Sequence, residues 1–198
     1  DVGVRGIGGI QTADAWVPKE FIHPAEETKE KLEKTIQKWN NVGLQKVFIS
    51  PSTPFACTPA LLDCIHDLTR KYQVGVQIHV SETRWEVEQA LKDFGTTPLM
   101  YLERLGFLKD QPRMQAVHCI HLTRDEWDLM KERQITAVYN PKSNGKLGSG
   151  IAPMAELMEQ GILCTIATDG AASNDLLDVF EDMRFGSFLQ KLKYEDPA

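Results

Sequence analysis

The sequence has no apolar run approaching the ~20 residues that a membrane-spanning helix needs, and no secretory leader pattern at its start. It has no surplus of positive charge: 22 Lys and Arg against 28 Asp and Glu give a net charge of −6. A nucleic-acid backbone is therefore not an expected partner, and a neutral or cationic small molecule is easier to accommodate. Cysteine is scarce. None of Cys57, Cys64, Cys119 and Cys164 forms a CxxC pair, so reduced core thiols of a cytoplasmic protein are expected rather than disulfides. No GxGxxG follows a strand pattern and no GxxxxGKS/T occurs, which leaves dinucleotide-binding and P-loop readings without support. There is no low-complexity tract, and no repeat beyond an alternation of strand and helix.

What is present is an ordinary globular composition, 42% hydrophobic and 25% charged. A chain of 198 residues suffices for one sizeable core or an incomplete larger one. It opens on Asp1, and residues 2–10 already read as a strand, so the expectation is a sequence that starts inside a longer protein. Helical spacing places helices over 26–41, 58–72, 82–94, 97–106, 123–133, 154–160 and 176–193. In the first of these, Leu32, Ile36 and Trp39 fall on one face. Thr58 caps the second with Pro59 at its first position, and Thr123 opens the fifth as a capping box. Short apolar runs over 46–50, 75–80, 115–120, 135–140 and 163–168 read as strands buried on both faces. Residues 12–24 and 141–153 read as loops; the second carries Lys142–Gly150 (KSNGKLGSG), a minor candidate for a phosphate cradle. Six strand–helix units indicate α/β with a parallel sheet. Two arrangements fit: an open doubly wound sheet, or part of a (β/α)8 barrel, which usually needs ~250 residues. Six units is the density of three quarters of a barrel.

Function is concentrated at the strand ends. The stretch Thr165–Asn174 (TIATDGAASN) runs from apolar residues to a lone acid, Asp169, and then into small residues. Small side chains let a ligand approach the backbone, although Asp169 also has the form of a helix cap. His79 stands at the end of the third strand with Glu82 three residues on, His118 near the end of the fourth, and Tyr139 and Asn140 at the end of the fifth. In a parallel barrel these ends share one rim, where chemistry sits. Each histidine alone reads equally as a satisfied core residue; two of them with an acid favour a shared site. Imidazole with carboxylate suits a divalent metal such as zinc, which lowers the pKa of bound water toward ~7. Asp169 then binds the metal and handles the proton of the water, Glu82 shuttles a proton to the substrate, and His118 polarises. His23 and His66 read as structural or solvated, and His121 as a supporting residue at most.

At this point the residues resemble a known family. IHVSET (Ile78–Thr83), AVHCIHLT (Ala116–Thr123), YNPKSNGKLGSGIAP (Tyr139–Pro153), TDGAASN (Thr168–Asn174) and VFEDMR (Val179–Arg184) are similar, in order, to the amidohydrolase superfamily. Within it they resemble the deaminases of methylthioadenosine and S-adenosylhomocysteine and related aminohydrolases and chlorohydrolases. The resemblance implies a (β/α)8 barrel of TIM type, of which residues 1–198 would hold about six units as a single partial domain. It implies metal ligands at His79 and Asp169, a proton shuttle at Glu82 and a catalytic histidine at His118. The metal would be divalent, zinc or else iron. It implies a hydrolase that deaminates an aminated purine-like or other small N-heterocycle; cysteine usage, charge and the lack of long apolar runs add the expectation of a cytoplasmic protein with no membrane or nucleic-acid partner, and a homo-oligomer is allowed. The chain also departs from the pattern. The HxH pair of the first barrel strand is missing, Tyr139 stands where relatives usually have His, and Ser52 stands where they often have His. The rival readings are a dechlorinating enzyme and a non-catalytic barrel without metal. The zinc cytidine-deaminase signature, HxE with PCxxC, does not occur.

Overall fold

A computed structural model describes residues 3–197. Apart from one 3-10 turn, the elements in chain order are strand β1 (Gly6–Thr12), helix α1 (Ala25–Trp39), β2 (Gln45–Pro51), α2 (Pro59–Tyr72), β3 (Gly75–Val80), α3 (Arg84–Phe94), α4 (Pro98–Arg104), β4 (Met114–His118), α5 (Arg124–Glu132), β5 (Thr136–Tyr139), α6 (Pro141–Leu147), α7 (Met154–Glu159), β6 (Cys164–Ile166), α8 (Ala171–Asn174) and α9 (Val179–Tyr194). The six strands stand in the sheet in that same order. A doubly wound sheet reverses its order at a switch point, whereas a (β/α)8 barrel runs sequentially. The observed order is the barrel's. Among the described residues no helix is long and apolar enough to cross a membrane.

The chain divides into two compact units. The first holds the residues up to Ile78 with Met100–Gln115. Here β1 and β2 pair in parallel from Gly6 opposite Gln45 to Thr12 opposite Pro51. β1 is exposed along most of its length. Thr58 caps α2 by accepting the Leu61 N–H, and Pro59 holds the first position. Leu61, Leu62, Ile65 and Leu68 of α2 are buried, together with Leu32 and Ile36 of α1. Trp39 is 45% exposed, so the apolar face of α1 is one residue narrower than its spacing implies. His66 is exposed and its Nε2 lies 2.6 Å from the Lys109 carbonyl oxygen, a structural contact.

β2 meets β3 at Phe48 opposite Gly75. A Cβ added at Gly75 would lie 2.4 Å from the Phe48 ring, so this position has no room for a methyl group. Gly75→Ala is expected to cost about 1–3 kcal/mol through overpacking. Urea denaturation of the intact protein reads this as a lower midpoint, and an unchanged midpoint would contradict the packing described.

The second unit holds His79–Leu99 and the residues from Ala116 on. Thr123 and Glu126 form the expected capping box at α5, whose Trp127, Leu129 and Met130 are buried. β5 and β6 pair in parallel from Ala137 opposite Cys164 to Tyr139 opposite Ile166. Two expectations need correction. The 141–153 segment is not all loop, because Pro141–Leu147 forms α6, with Pro141 in the first turn and Gly148 closing it in the left-handed region at φ 69°. The last helix begins at Val179, behind an Asp178 cap, with the short α8 as a separate element. All four cysteines are free.

Candidate active site

β3 ends at Val80, and a bend carries Ser81 and Glu82 before α3 starts behind its Thr83 cap. β4 ends on His118, which is 1% exposed. The rings of His79 and His118 stack with centroids 5.4 Å apart. Glu82 faces the same imidazole, with Oε2 3.5 Å from His118 Nε2. Its Oε1 accepts the Ser149 hydroxyl at 3.0 Å.

The other ring nitrogen of His118, Nδ1, lies 2.8 Å from Asn144 Oδ1. Asn144 belongs to α6, and its neighbour Ser143 donates to Asp169 Oδ2 at 2.6 Å. Both residues are fully buried. The helix that composition read as a loop is thus the element through which His118 and Asp169 are joined. Asp169 Oδ2 also accepts Ser173 Oγ, at 3.1 Å, and Oδ1 accepts the Gly170 N–H at 2.8 Å. The carboxylate therefore supports its own turn, as a cap would, and is also held by α6.

The structure brings His79, Glu82 and His118 together directly, and Asp169 to His118 through consecutive residues of α6. Sequence reasoning missed Ser143, Asn144 and Ser149, whose segment shows no periodicity, and also Glu86. Thr83-x-x-Glu86 has the same capping-box pattern that was legible at Thr123. His121 Nε2 lies 2.9 Å from the Ser149 carbonyl oxygen, a contact that supports the same segment. The Tyr139 hydroxyl receives a hydrogen bond from Gln190 of α9 at 3.4 Å. Lys142 pairs with Glu181 and Lys146 with Asp175, so neither ammonium is left to cradle a phosphate.

Electrostatics separates the groups. Burial pushes the His118 pKa down, against the opposing pull of Glu82 and Asn144, and so favours the neutral ring. For Asp169, burial acts upward, but the hydrogen bonds from Ser143 and Gly170, with His118 nearby, outweigh it and hold the carboxyl below its ordinary range. Burial raises Glu86 to about 7, although its hydrogen bonds from the Glu82 and Ser81 backbone act the other way. The backbone at these ends is unusual as well. Ser81, His118, Cys119 and Asp169 all have left-handed φ, at 52°, 73°, 54° and 61°. Such conformations cost about 1–3 kcal/mol each and cluster where surroundings over-determine them.

Among the described residues, no group of three or more His, Cys, Asp or Glu is arranged to hold a metal ion. His79 and Asp169 offer one imidazole and one carboxylate, donors that zinc accepts, but a closed site takes about four ligands. The described residues alone do not make up a complete zinc site.

The amidohydrolase family model matches residues 2–198. The chain belongs to the amidohydrolase family. It is 38% identical to a 5-methylthioadenosine/S-adenosylhomocysteine deaminase of Caldanaerobacter subterraneus, over 99% of this chain and 44% of that protein. It is 41% identical to a 5'-deoxyadenosine deaminase of Methanothermobacter thermautotrophicus, over 77% of this chain and 35% of that protein. A solved adenosine deaminase from Xanthomonas campestris, with bound zinc, superposes with a TM-score of 0.90 at 30% identity, covering 98% of this chain and 43% of that one. This amidohydrolase chain therefore spans less than half the length of the relatives it matches.

Proposed function

We propose that the protein carrying this amidohydrolase chain is a hydrolytic deaminase of an aminated N-heterocycle, in the first place an adenosine-type purine. The observation that carries this reading is the arrangement of three groups with separate protonation roles. Glu82 faces His118 Nε2, while Asp169 is hydrogen-bonded by the residue next to the one that contacts His118 Nδ1. The names of the similar deaminases support the substrate class.

Hydrolytic deamination needs a proton given to the ring nitrogen beside the carbon under attack, a proton taken from water, and a proton given to the departing amine. Glu82 is assigned the first. With Nδ1–H of a neutral His118 donated to Asn144 Oδ1, Nε2 is an acceptor, so a proton on Glu82 has a partner before substrate arrives. Asp169 is assigned the other two. Its hydrogen bonds hold it ionised, and after taking one proton from the attacking water it passes that proton to the amine; the remaining hydroxyl proton returns to Glu82, so that ammonia leaves and a carbonyl remains. His118, its Nε2 an acceptor, polarises the attacking water once Glu82 has given up its proton.

A divalent metal, zinc before iron, belongs to the proposal. His79 and Asp169 would each give it one ligand, and the remaining ligands would come from elsewhere in the protein. When bound, it would supply a water that ionises near pH ~7. The chain is taken as part of one barrel domain, supported by a single family model running from 2 to 198. Four free cysteines support a cytoplasmic setting.

The test is product analysis with the intact protein and zinc. Ammonia release from methylthioadenosine or 5'-deoxyadenosine is the expected result. Chloride release from a chlorinated triazine in its place would move the reading to dechlorination. No release from either class, with stoichiometric metal bound, would overturn it.

A further inference from the structure

We infer that Glu86 is the positioning residue for Glu82: its buried carboxylate grips the Ser81 and Glu82 amides and so sets the turn that aims the Glu82 side chain at His118. The inference rests on the proposed role of Glu82 as proton donor.

The two threonine-capped helices of this unit make the comparison. At α5, Thr123 is the cap and Glu126 the third helical residue; Glu126 Oε2 accepts the N–H of Thr123 itself, at 2.8 Å, and Oε1 accepts the Leu99 N–H at 3.2 Å. That box closes on its own cap. At α3 the spacing is the same, with Thr83 accepting the Glu86 N–H at 3.1 Å. The carboxylate, however, reaches further back. Oε1 accepts the Ser81 N–H at 3.0 Å and Oε2 accepts the Glu82 N–H at 2.7 Å. Glu86 is 4% exposed; its bond to Ser81 is buried and its bond to Glu82, the residue that faces His118, is half-buried.

The turn needs such an anchor. Ser81 is not glycine, yet its φ is 52°, a conformation that costs an L-residue about 1–2 kcal/mol. Its peptide is held from both sides. Glu86 takes the N–H, while the Ser81 carbonyl accepts the N–H groups of Ile120 and His121 at 3.2 and 3.0 Å. Those two residues follow closely on His118. The Ser81 peptide therefore ties the turn bearing Glu82 to the turn after His118. Ser149 adds the last contact, to the Glu82 carboxylate itself.

The experiment is a double-mutant cycle in the intact, metal-loaded protein, with Glu82→Gln, Glu86→Gln and both together. The two N–H groups are held by different carboxylate oxygens, and glutamine replaces one of these with an NH2 donor, so one bond is lost and the turn loosens. Glu86→Gln is expected to lower kcat by about 10²-fold, the effect of a misplacement near 1 Å, with KM nearly unchanged. Glu82→Gln is expected to lower kcat by about 10²–10⁴-fold. The double variant should be no worse than Glu82→Gln alone, because Glu86 acts only through Glu82. Parental kcat in Glu86→Gln, or losses that multiply in the double variant, would overturn the inference. A purely structural carboxylate would give multiplying losses. If Glu82→Gln keeps parental turnover, the proposed function fails instead, and amide hydrogen exchange still decides the anchor. Exchange at Ser81 and Glu82 should quicken in Glu86→Gln, and unchanged exchange there would sink the anchor. Should Glu86→Gln not fold, Glu86→Asp shortens the reach by one methylene and is read by the same two measurements.

Discussion

Asp169→Asn in the intact protein is expected to lower ammonia release by about 10²–10⁴-fold, the range for loss of a proton-transferring group. The folded structure should persist. An amide oxygen still accepts the Gly170 N–H, and the Ser143 and Ser173 hydroxyls can turn to accept from the new amide nitrogen. What is lost is the ability to hold a proton between water and the departing amine, together with one charged donor for a metal. Turnover is measured beside metal content and a thermal melt. Ammonia release near the parental rate, from a protein that melts at the parental temperature, would remove Asp169 from the mechanism.

The largest effect on stability is expected at Asp182. This carboxylate of α9 is fully buried. It accepts the Lys142 N–H, in the first turn of α6, at 3.2 Å, and Asn174 Nδ2, at the end of α8, at 2.8 Å. The same Asn174 nitrogen donates to the Thr168 carbonyl at 2.7 Å, immediately before Asp169. Asp182 thus supports both segments that hold the Asp169 carboxylate. Asp182→Ala leaves the half-buried Lys142 N–H and one N–H of the buried Asn174 amide without an acceptor, at about 1–3 kcal/mol each. A chain of this size loses about 2–4 °C per kcal/mol, so a melting temperature lower by roughly 10 °C is expected. A shift below about 1 °C would show that the donors find other partners.

These two residues also mark what was legible in the sequence. Asp169 was, because it interrupts an apolar strand and is followed by small residues. His79 and His118 were, because short apolar runs with a polar end read directly as buried strands. The starts of α2 and α5 were, because Thr58-Pro59 and the Thr123 box act locally. α6 was not. Its sequence, PKSNGKL, has a proline, a glycine and no apolar stripe, and its Asn140 cap makes no side-chain capping hydrogen bond. The contacts that hold it come from far along the chain: His118 to Asn144, Asp169 to Ser143, and Asp182 to the Lys142 N–H. Local propensity carries no record of such partners. Trp39 failed in the opposite sense, since helical spacing gives it a face but not a neighbour to pack against.

The left-handed backbone at His118 and Cys119 bears on how this rim can diversify over generations. Asparagine, aspartate and glycine enter that region most readily, and branched side chains are shut out by their own shape. Cys119 is also fully buried, so random exchange there should yield survivors that are small and unbranched, glycine foremost, whereas exposed helix surfaces tolerate wider change. Substitutions that the fold tolerates at this rim are therefore expected in its exposed loops and helix starts, and least in the turns behind the two imidazoles.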